Sequence, residues 1–177
     1  YKSLFLANEV DLTNNLNKSL RHRGLKPRTI FVTTLKDIEI QQKIIEIFKE
    51  EKINLLITTT SFDANLDNYN NFNLFKELNV PILQVLTSTR SKNEWLNSSI
   101  GMNSLDLLMQ IIMPEFDGRI ITVPCAFREL KSINKSLYSE ISNNVFDEFG
   151  IKWVTNFAKN YINLLKLNNF EKKICIV

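Results

Sequence analysis

A chain of 177 residues with 44 % apolar and 23 % charged side chains has the composition of one folded globular domain, or of a piece of something larger, and is not disordered. Its 22 basic and 19 acidic groups leave a net charge of +3, too small to argue for a nucleic-acid footprint. The longest apolar run, Leu105 to Met113, is half of what spans a bilayer and is interrupted by Asp106 and Gln110.

No signal peptide is visible, and the two cysteines, Cys125 and Cys175, have no metal-ligand spacing, so the chain reads as cytoplasmic, with no disulfide framework and no zinc site. It also reads as cut at both ends: it begins at Tyr1 and stops inside an apolar strand, Lys173 to Val177, which alone would be an aggregation-prone edge.

In chain order, Asp11 to Arg23 is predicted helical, with Leu12, Leu16 and Leu20 spaced by four and Gly24 as its stop. Thr29 to Thr33 is a short β-rich run. Asp37 caps a helix in which Ile38, Gln41, Ile44, Ile45 and Phe48 recur at helical spacing. Ile53 to Thr59 is a strand with a continuous apolar centre, as in buried parallel sheets. Asn65 to Asn73 is a polar loop, followed by a short helix ending near Leu78 and a strand from Pro81 to Leu86. Ser91 to Glu94 has the form of a capping box, and Ser104 can cap a helix from Leu105 to Met113 that Pro114 stops. Arg119 to Val123 is strand-like. Leu137 to Phe149 is predicted helical, with a break at Gly150 before a second helical face.

Alternation of this kind implies right-handed βαβ units. The fold class is therefore α/β: a flavodoxin-like parallel sheet with helices on both faces over residues 1–90. A helix-rich continuation over 91–177 holds the Glu115–Asp117 loop and the start of the next strand.

Ligands of open parallel sheets bind beyond the carboxyl ends of the strands. Two strand ends here finish in hydroxyls, Thr58 to Ser61 and Thr87 to Thr89, and Arg90 precedes a helix start whose free N–H groups favour an anion. Ser88, Thr89 and Arg90 thus make a seat for a carboxylate or phosphate. The alternative is that Ser91 only caps and the threonines only satisfy turn amides.

The string Pro114-Glu-Phe-Asp-Gly-Arg119 places Glu115 and Asp117 past the end of an apolar helix, where negative charge costs about 0.3–1 kcal/mol against the dipole. A local rule broken without evident gain points to function. Pairing of Arg119 with one of the carboxylates is the structural alternative. His22, the one histidine, sits in a last helical turn where cations belong, and no glycine-rich phosphate loop exists.

Taken together, these strings resemble the large subunit of cobaltochelatase, the cobalt-inserting enzyme of aerobic cobalamin biosynthesis, and its relative, the large subunit of magnesium chelatase. The anchors run in order: Tyr1-Lys-Ser3 with Ala7, Leu35-Lys-Asp37, Thr58 to Phe62, Val80 to Val85, Ser88-Thr-Arg90 with Trp95, Pro114 to Arg119 with Phe127, and Glu171 to Val177. Asp117-Gly-Arg-Ile120 and the Ser-Thr-Arg loop favour the cobalt branch. The resemblance also places a strand before Tyr1, making Ser3 to Leu6 the loop beyond it.

The resemblance implies a ligase that inserts a divalent metal into a tetrapyrrole: cobalt into hydrogenobyrinic acid a,c-diamide, or magnesium into protoporphyrin IX in the plastid stroma. It implies an AAA+ ATPase subunit and its integrin-like co-subunit as partners, which bind ATP and Mg where this chain does not. No nucleic acid and no membrane span are expected. On these terms Glu115 and Asp117 are the catalytic carboxylates, Glu115 also a possible transient metal ligand. Arg90, Ser88, Thr89, Arg119, Lys2 and Tyr1 contact the substrate. A non-catalytic α/β scaffold is the rival reading, and the isolated fragment is expected to be inactive.

Overall fold

The computed structural model describes residues 1–61, 74–134 and 139–176. Tyr1 leads directly into a short helix, α1 (Lys2–Leu6), where a loop was expected over Ser3 to Leu6; the Phe5 ring packs on Phe31 with centroids 5.1 Å apart. Helix α2 (Asp11–His22) buries Leu16 and Leu20, and Gly24 follows it at φ +73°, the left-handed stop its position predicts.

Thr29 to Thr33 forms no strand. The Val32 carbonyl instead accepts the Lys2 N–H at 2.7 Å. Helix α3 (Ile38–Glu50) starts at Asp37, whose carboxylate accepts the Glu39 and Ile40 N–H groups, and it buries Gln41, Ile44 and Phe48. Strand β1 (Leu56–Thr58), helix α4 (Leu74–Leu78) and strand β2 (Ile82–Ser88) follow. The loop predicted over 65–73 lies outside the described residues.

Helix α5 (Lys92–Asn97) carries the predicted capping box: Ser91 and Glu94 satisfy each other's backbone N–H groups. The next helical run does not stop at Pro114. It passes from α6 (Ser104–Leu107), capped by Asn103 rather than Ser104, through a π turn (Leu108–Ile112) into α7 (Met113–Phe116). A proline inside an α-helix would strip the Gln110 carbonyl of its donor and push against it; the wider turn accommodates the ring.

The true stop is Gly118, at φ +73°. Its N–H bonds the Glu115 carbonyl, and the Arg119 N–H bonds the Pro114 carbonyl, the paired bonds of a Schellman end.

Strand β3 (Ile120–Asn134) and strand β4 (Ser139–Phe146) complete a four-stranded sheet in the order β1-β2-β3-β4. The β1–β2 and β2–β3 pairs are parallel, as the βαβ reading requires, whereas β3–β4 is an antiparallel hairpin, with Ala126 opposite Phe146 and Asn134 opposite Ser139. The helix predicted over Leu137 to Phe149 is therefore largely strand. Ile141 and Val145, four apart, fit either period, and the neighbouring strand decides between them.

Alternation along β2 sends Leu83 and Val85 toward α2 and the last helix, α8 (Glu148–Leu165), and Ile82 toward α3 and α4. Helices thus cover both faces of the parallel part, which is the mixed α/β architecture expected.

Helix α8 runs unbroken through Gly150, contrary to the predicted break, because that glycine is a contact. A Cβ there would lie 2.0 Å from the Pro124 carbonyl oxygen and 3.0 Å from Cys125 Cα. Gly150→Ala forces α8 off the β3 backbone and should cost about 3 kcal/mol. The matching drop in Tm, roughly 6–12 °C, is read by thermal unfolding. An unchanged Tm would show that α8 can shift without loss.

Candidate functional site

Two polar clusters lie on the sheet, joined by the helical run from α6 to α7. The first surrounds Arg119, at the start of β3. Its guanidinium donates from Nε (3.1 Å) and Nη2 (2.6 Å) to Asp117 Oδ2, and from Nη1 to Gln84 Oε1 and the Thr60 carbonyl, both at 2.8 Å. The Phe75 ring covers it, 4.8 Å from centroid to Cζ. Both side chains of the ion pair are wholly buried.

Arg119 therefore joins the end of β1, the middle of β2 and the end of α7. The carboxylate–arginine pairing that competed with a catalytic Asp117 is what this fold contains.

Tyr1 closes the same cluster from outside. Its hydroxyl donates to the Ser61 carbonyl at 3.1 Å, and burial pushes the hydroxyl pKa up, opposed by the Arg119 charge. Lys2 is exposed beside it. The hydroxyls at the end of β1 serve the turn: Thr58 Oγ1 lies 2.8 Å from Thr60 Oγ1 and accepts the Thr60 N–H at 3.1 Å. Phe62, the close of the Thr-rich motif, lies outside the described residues.

The second cluster lies at the far end of β2. Register pairs Thr58 with Gln84, so Ser88 stands four residues further along, roughly 13 Å away. The predicted seat at Ser88-Thr-Arg90 is separated from the β1 end by that offset.

An anion does occupy it, and it belongs to the protein. The buried Asp106 carboxylate takes the Thr89 N–H at 3.0 Å, the Thr89 hydroxyl at 2.7 Å and Asn103 Nδ2 at 3.2 Å. Ser88 Oγ accepts the Arg90 N–H, and Arg90 Nη1 reaches Ser98 Oγ (3.3 Å) and the Gly101 carbonyl (3.4 Å), leaving its side chain half-buried.

Gln110, in the π turn, clamps Thr87 from both sides: Oε1 accepts the Thr87 N–H at 2.7 Å and Nε2 donates to the Thr87 carbonyl at 2.5 Å. Neither Asp106 nor Gln110 was a predicted site residue. Their signal was present, as two polar residues four apart in an otherwise apolar helix.

Glu115 stands apart from both clusters. It is exposed, one residue before Phe116, whose ring is 75 % exposed. Leu108 and Ile112 on the same run are also exposed. The structure thus separates the two predicted carboxylates: Asp117 is turned inward onto Arg119, and Glu115 faces outward beside an apolar surface. Among the described residues no three metal-ligating side chains converge, and no helix is long and apolar enough to cross a membrane.

A further ion pair anchors α5. Lys92 Nζ meets Asp147 Oδ1 at 2.5 Å, and Asp147 Oδ2 accepts the Gly150 N–H at 2.8 Å. Burial disfavours the Asp147 charge, but the Lys92 and Gly150 bonds outweigh it and hold the carboxyl below its usual range. Cys125, buried beside that carboxylate, is pushed up to about 12 by burial and by the negative charge, so it is an inert thiol.

Comparison with known proteins places this arrangement. The uncharacterized protein MJ0908 of Methanocaldococcus jannaschii is 31 % identical over 189 residues, covering all of this chain and 15 % of that protein. The aerobic cobaltochelatase subunit CobN of Pseudomonas aeruginosa is 27 % identical over 158 residues, covering 89 % of this chain and 13 % of the relative. Among solved structures, the catalytic subunit of cobaltochelatase from Mycobacterium tuberculosis superposes with a TM-score of 0.76 at 22 % identity, over 94 % of this chain and 14 % of that one. The chain thus spans about one seventh of the length of these proteins. Residues 1–177 match the CobN/Magnesium Chelatase family along their whole length, and the chain belongs to that family.

Proposed function

We propose that this chain is part of the large, tetrapyrrole-binding subunit of a metal chelatase that inserts Co²⁺ into hydrogenobyrinic acid a,c-diamide. The observation that carries the reading is the family match across residues 1–177. Two of its relatives are aerobic cobaltochelatase subunits, which favours cobalt over the magnesium branch. The reading includes a cytoplasmic setting and two partners, an AAA+ ATPase subunit and an integrin-like co-subunit, which hydrolyse Mg-ATP while this subunit holds metal and ring.

Insertion requires that the metal lose its water shell and that two pyrrole protons leave. It also requires that a flat apolar ring bearing carboxylates be held. Glu115, exposed beside the Phe116 ring, suits the first two tasks as proton acceptor or transient oxygen ligand of the incoming metal. Arg90 and Lys2 suit the third as cations for peripheral carboxylates, with the Ser88 and Thr89 backbone shaping the loop that carries Arg90. Arg119 and Asp117 act through position, by fixing where α7 ends, and Tyr1 by closing that cluster.

The test uses the full-length subunit with its two partners and ATP. Supplied with Co²⁺ and the corrinoid precursor, it should give the absorbance change of cobalt insertion, and supplied with Mg²⁺ and protoporphyrin IX it should give none. A full-length subunit whose fluorescence neither tetrapyrrole quenches would leave only a scaffold.

A further inference from the structure

Strand β2 outruns its neighbour. The Leu56 N–H bonds the Pro81 carbonyl, so the odd-numbered residues of β2 turn their backbone groups toward β1, and the last residue paired there is Gln84, opposite Thr58. Thr87 and Thr89 lie beyond that point, facing a side on which β1 has ended. Two helical side chains take its place. Gln110 accepts the Thr87 N–H and donates to the Thr87 carbonyl, as a peptide unit of a neighbouring strand would, and Asp106 accepts the Thr89 N–H. The spacings match, since four residues of helix advance about 6 Å and two of strand about 6.6 Å. Gln110 is 5 % exposed, so solvent does not compete for the clamp.

The same glutamine sits inside the π turn. There the Met113 N–H bonds the Leu108 carbonyl, five residues back, so the turn holds one residue more than an α-turn. One extra residue rotates everything after it by about 100° around the helix axis. That rotation sets where the next residues point: Asp117 turns in onto Arg119, and Glu115 turns out beside Phe116. Glu115 follows Gln110 by five residues, about 8 Å of helix, and Arg90 follows Thr87 by three, about 10 Å of extended chain. The clamp is therefore the near end of two short levers, one carrying a carboxylate and the other a cation.

We infer that Gln110 is a positioning residue for metal insertion. It does not meet the substrate. It fixes the span between Arg90, which holds a peripheral carboxylate of the ring, and Glu115, which serves the metal and the pyrrole protons, and so it rests on the reading of those two residues given above. A rigid macrocycle carries its carboxylates and its nitrogens at set distances, so a cation and a base that serve one ring must be held at a matching span. Without the clamp the ring is still held at Arg90, but Glu115 moves relative to the nitrogens, and a displacement of about 1 Å is enough to cost about 100-fold in rate.

The experiment uses the full-length subunit with both partners, ATP, Co²⁺ and hydrogenobyrinic acid a,c-diamide. The insertion rate is divided by the number of ring-binding sites titrated by fluorescence quenching, which cancels any loss of folded protein. Gln110→Met keeps length and bulk but makes neither bond to Thr87; its kcat per site should fall by about 10–100-fold while the Kd for the ring changes by less than about threefold. Gln110→Leu, which also lacks the amide, should show the same loss and serves if the first variant does not fold. Glu115→Gln combined with Gln110→Met should be no slower than Glu115→Gln alone, because a residue that acts through Glu115 has nothing left to position. A native kcat per site in Gln110→Met overturns the inference. So does a combined variant slower than Glu115→Gln by the full factor seen for Gln110→Met, which would make the clamp independent of Glu115. Either result leaves Glu115 in its role. Insertion at the native rate by Glu115→Gln is the other failure: it removes the reading beneath the inference, and the inference with it.

Discussion

Asp117→Ala should cost this chain about 3–5 kcal/mol and lower its Tm by roughly 10 °C or more. The substitution leaves the Arg119 guanidinium where solvent does not reach it, deprived of the carboxylate that neutralises it. A buried charge without its partner is far more costly than the pair was beneficial, because the desolvation is no longer offset.

The loss spreads beyond the pair. Arg119 Nη1 also serves the Thr60 carbonyl and Gln84 Oε1, so a displaced guanidinium strips acceptors on β1 and β2 as well. Asp117→Leu combined with Arg119→Met removes both charges and should cost less than Asp117→Ala alone, leaving chiefly the orphaned Gln84 and Thr60 acceptors at about 1–3 kcal/mol. Urea unfolding of the two variants gives the comparison. A cost below about 1 kcal/mol for Asp117→Ala would mean that the pair does not tie α7 to the sheet.

That pair shows how far the residues alone can be read. The spacing of Asp117 and Arg119 announced an interaction, and the fold supplies it as an ion pair with both side chains buried, which the spacing alone does not reveal. Local chemistry was legible where it is self-contained: the Asp37 cap, the Ser91–Glu94 box and the continuous apolar strands need only neighbours in sequence, and they stand as expected.

What failed depends on partners distant in sequence. Strand β4 takes its form from β3, and Thr29 to Thr33 pairs with no strand among the described residues. The stop at Pro114 was misplaced because a π turn absorbs the proline, and Gly118 with φ +73° ends the run instead. Thr89 reads from the sequence as part of a seat for a substrate anion. Its occupant, Asp106, needed the tertiary fold that brings α6 against the end of β2.

Glu115→Gln should abolish metal insertion by the reassembled full-length complex, a loss of about 10²–10⁴-fold, while its effect on stability stays within about 0.5 kcal/mol. The two halves of that expectation have different causes. Glu115 is exposed, so exchanging its carboxylate for an amide of the same shape disturbs no packing. The amide neither accepts a pyrrole proton nor binds a divalent metal with useful affinity, so the chemistry stops while the ring is still held.

Asp117→Asn should divide the other way: the carboxamide keeps an acceptor for Arg119 but leaves its charge unbalanced, so stability falls and insertion falls only with the folded fraction. Tetrapyrrole binding, read by fluorescence quenching, and ATP hydrolysis by the partners should stay near normal in Glu115→Gln. They serve as the control that the complex has assembled. Insertion at the native rate by Glu115→Gln would remove this carboxylate from the mechanism and make the turn from Pro114 to Arg119 a structural corner, whose function is the Schellman end and the ion pair beneath it.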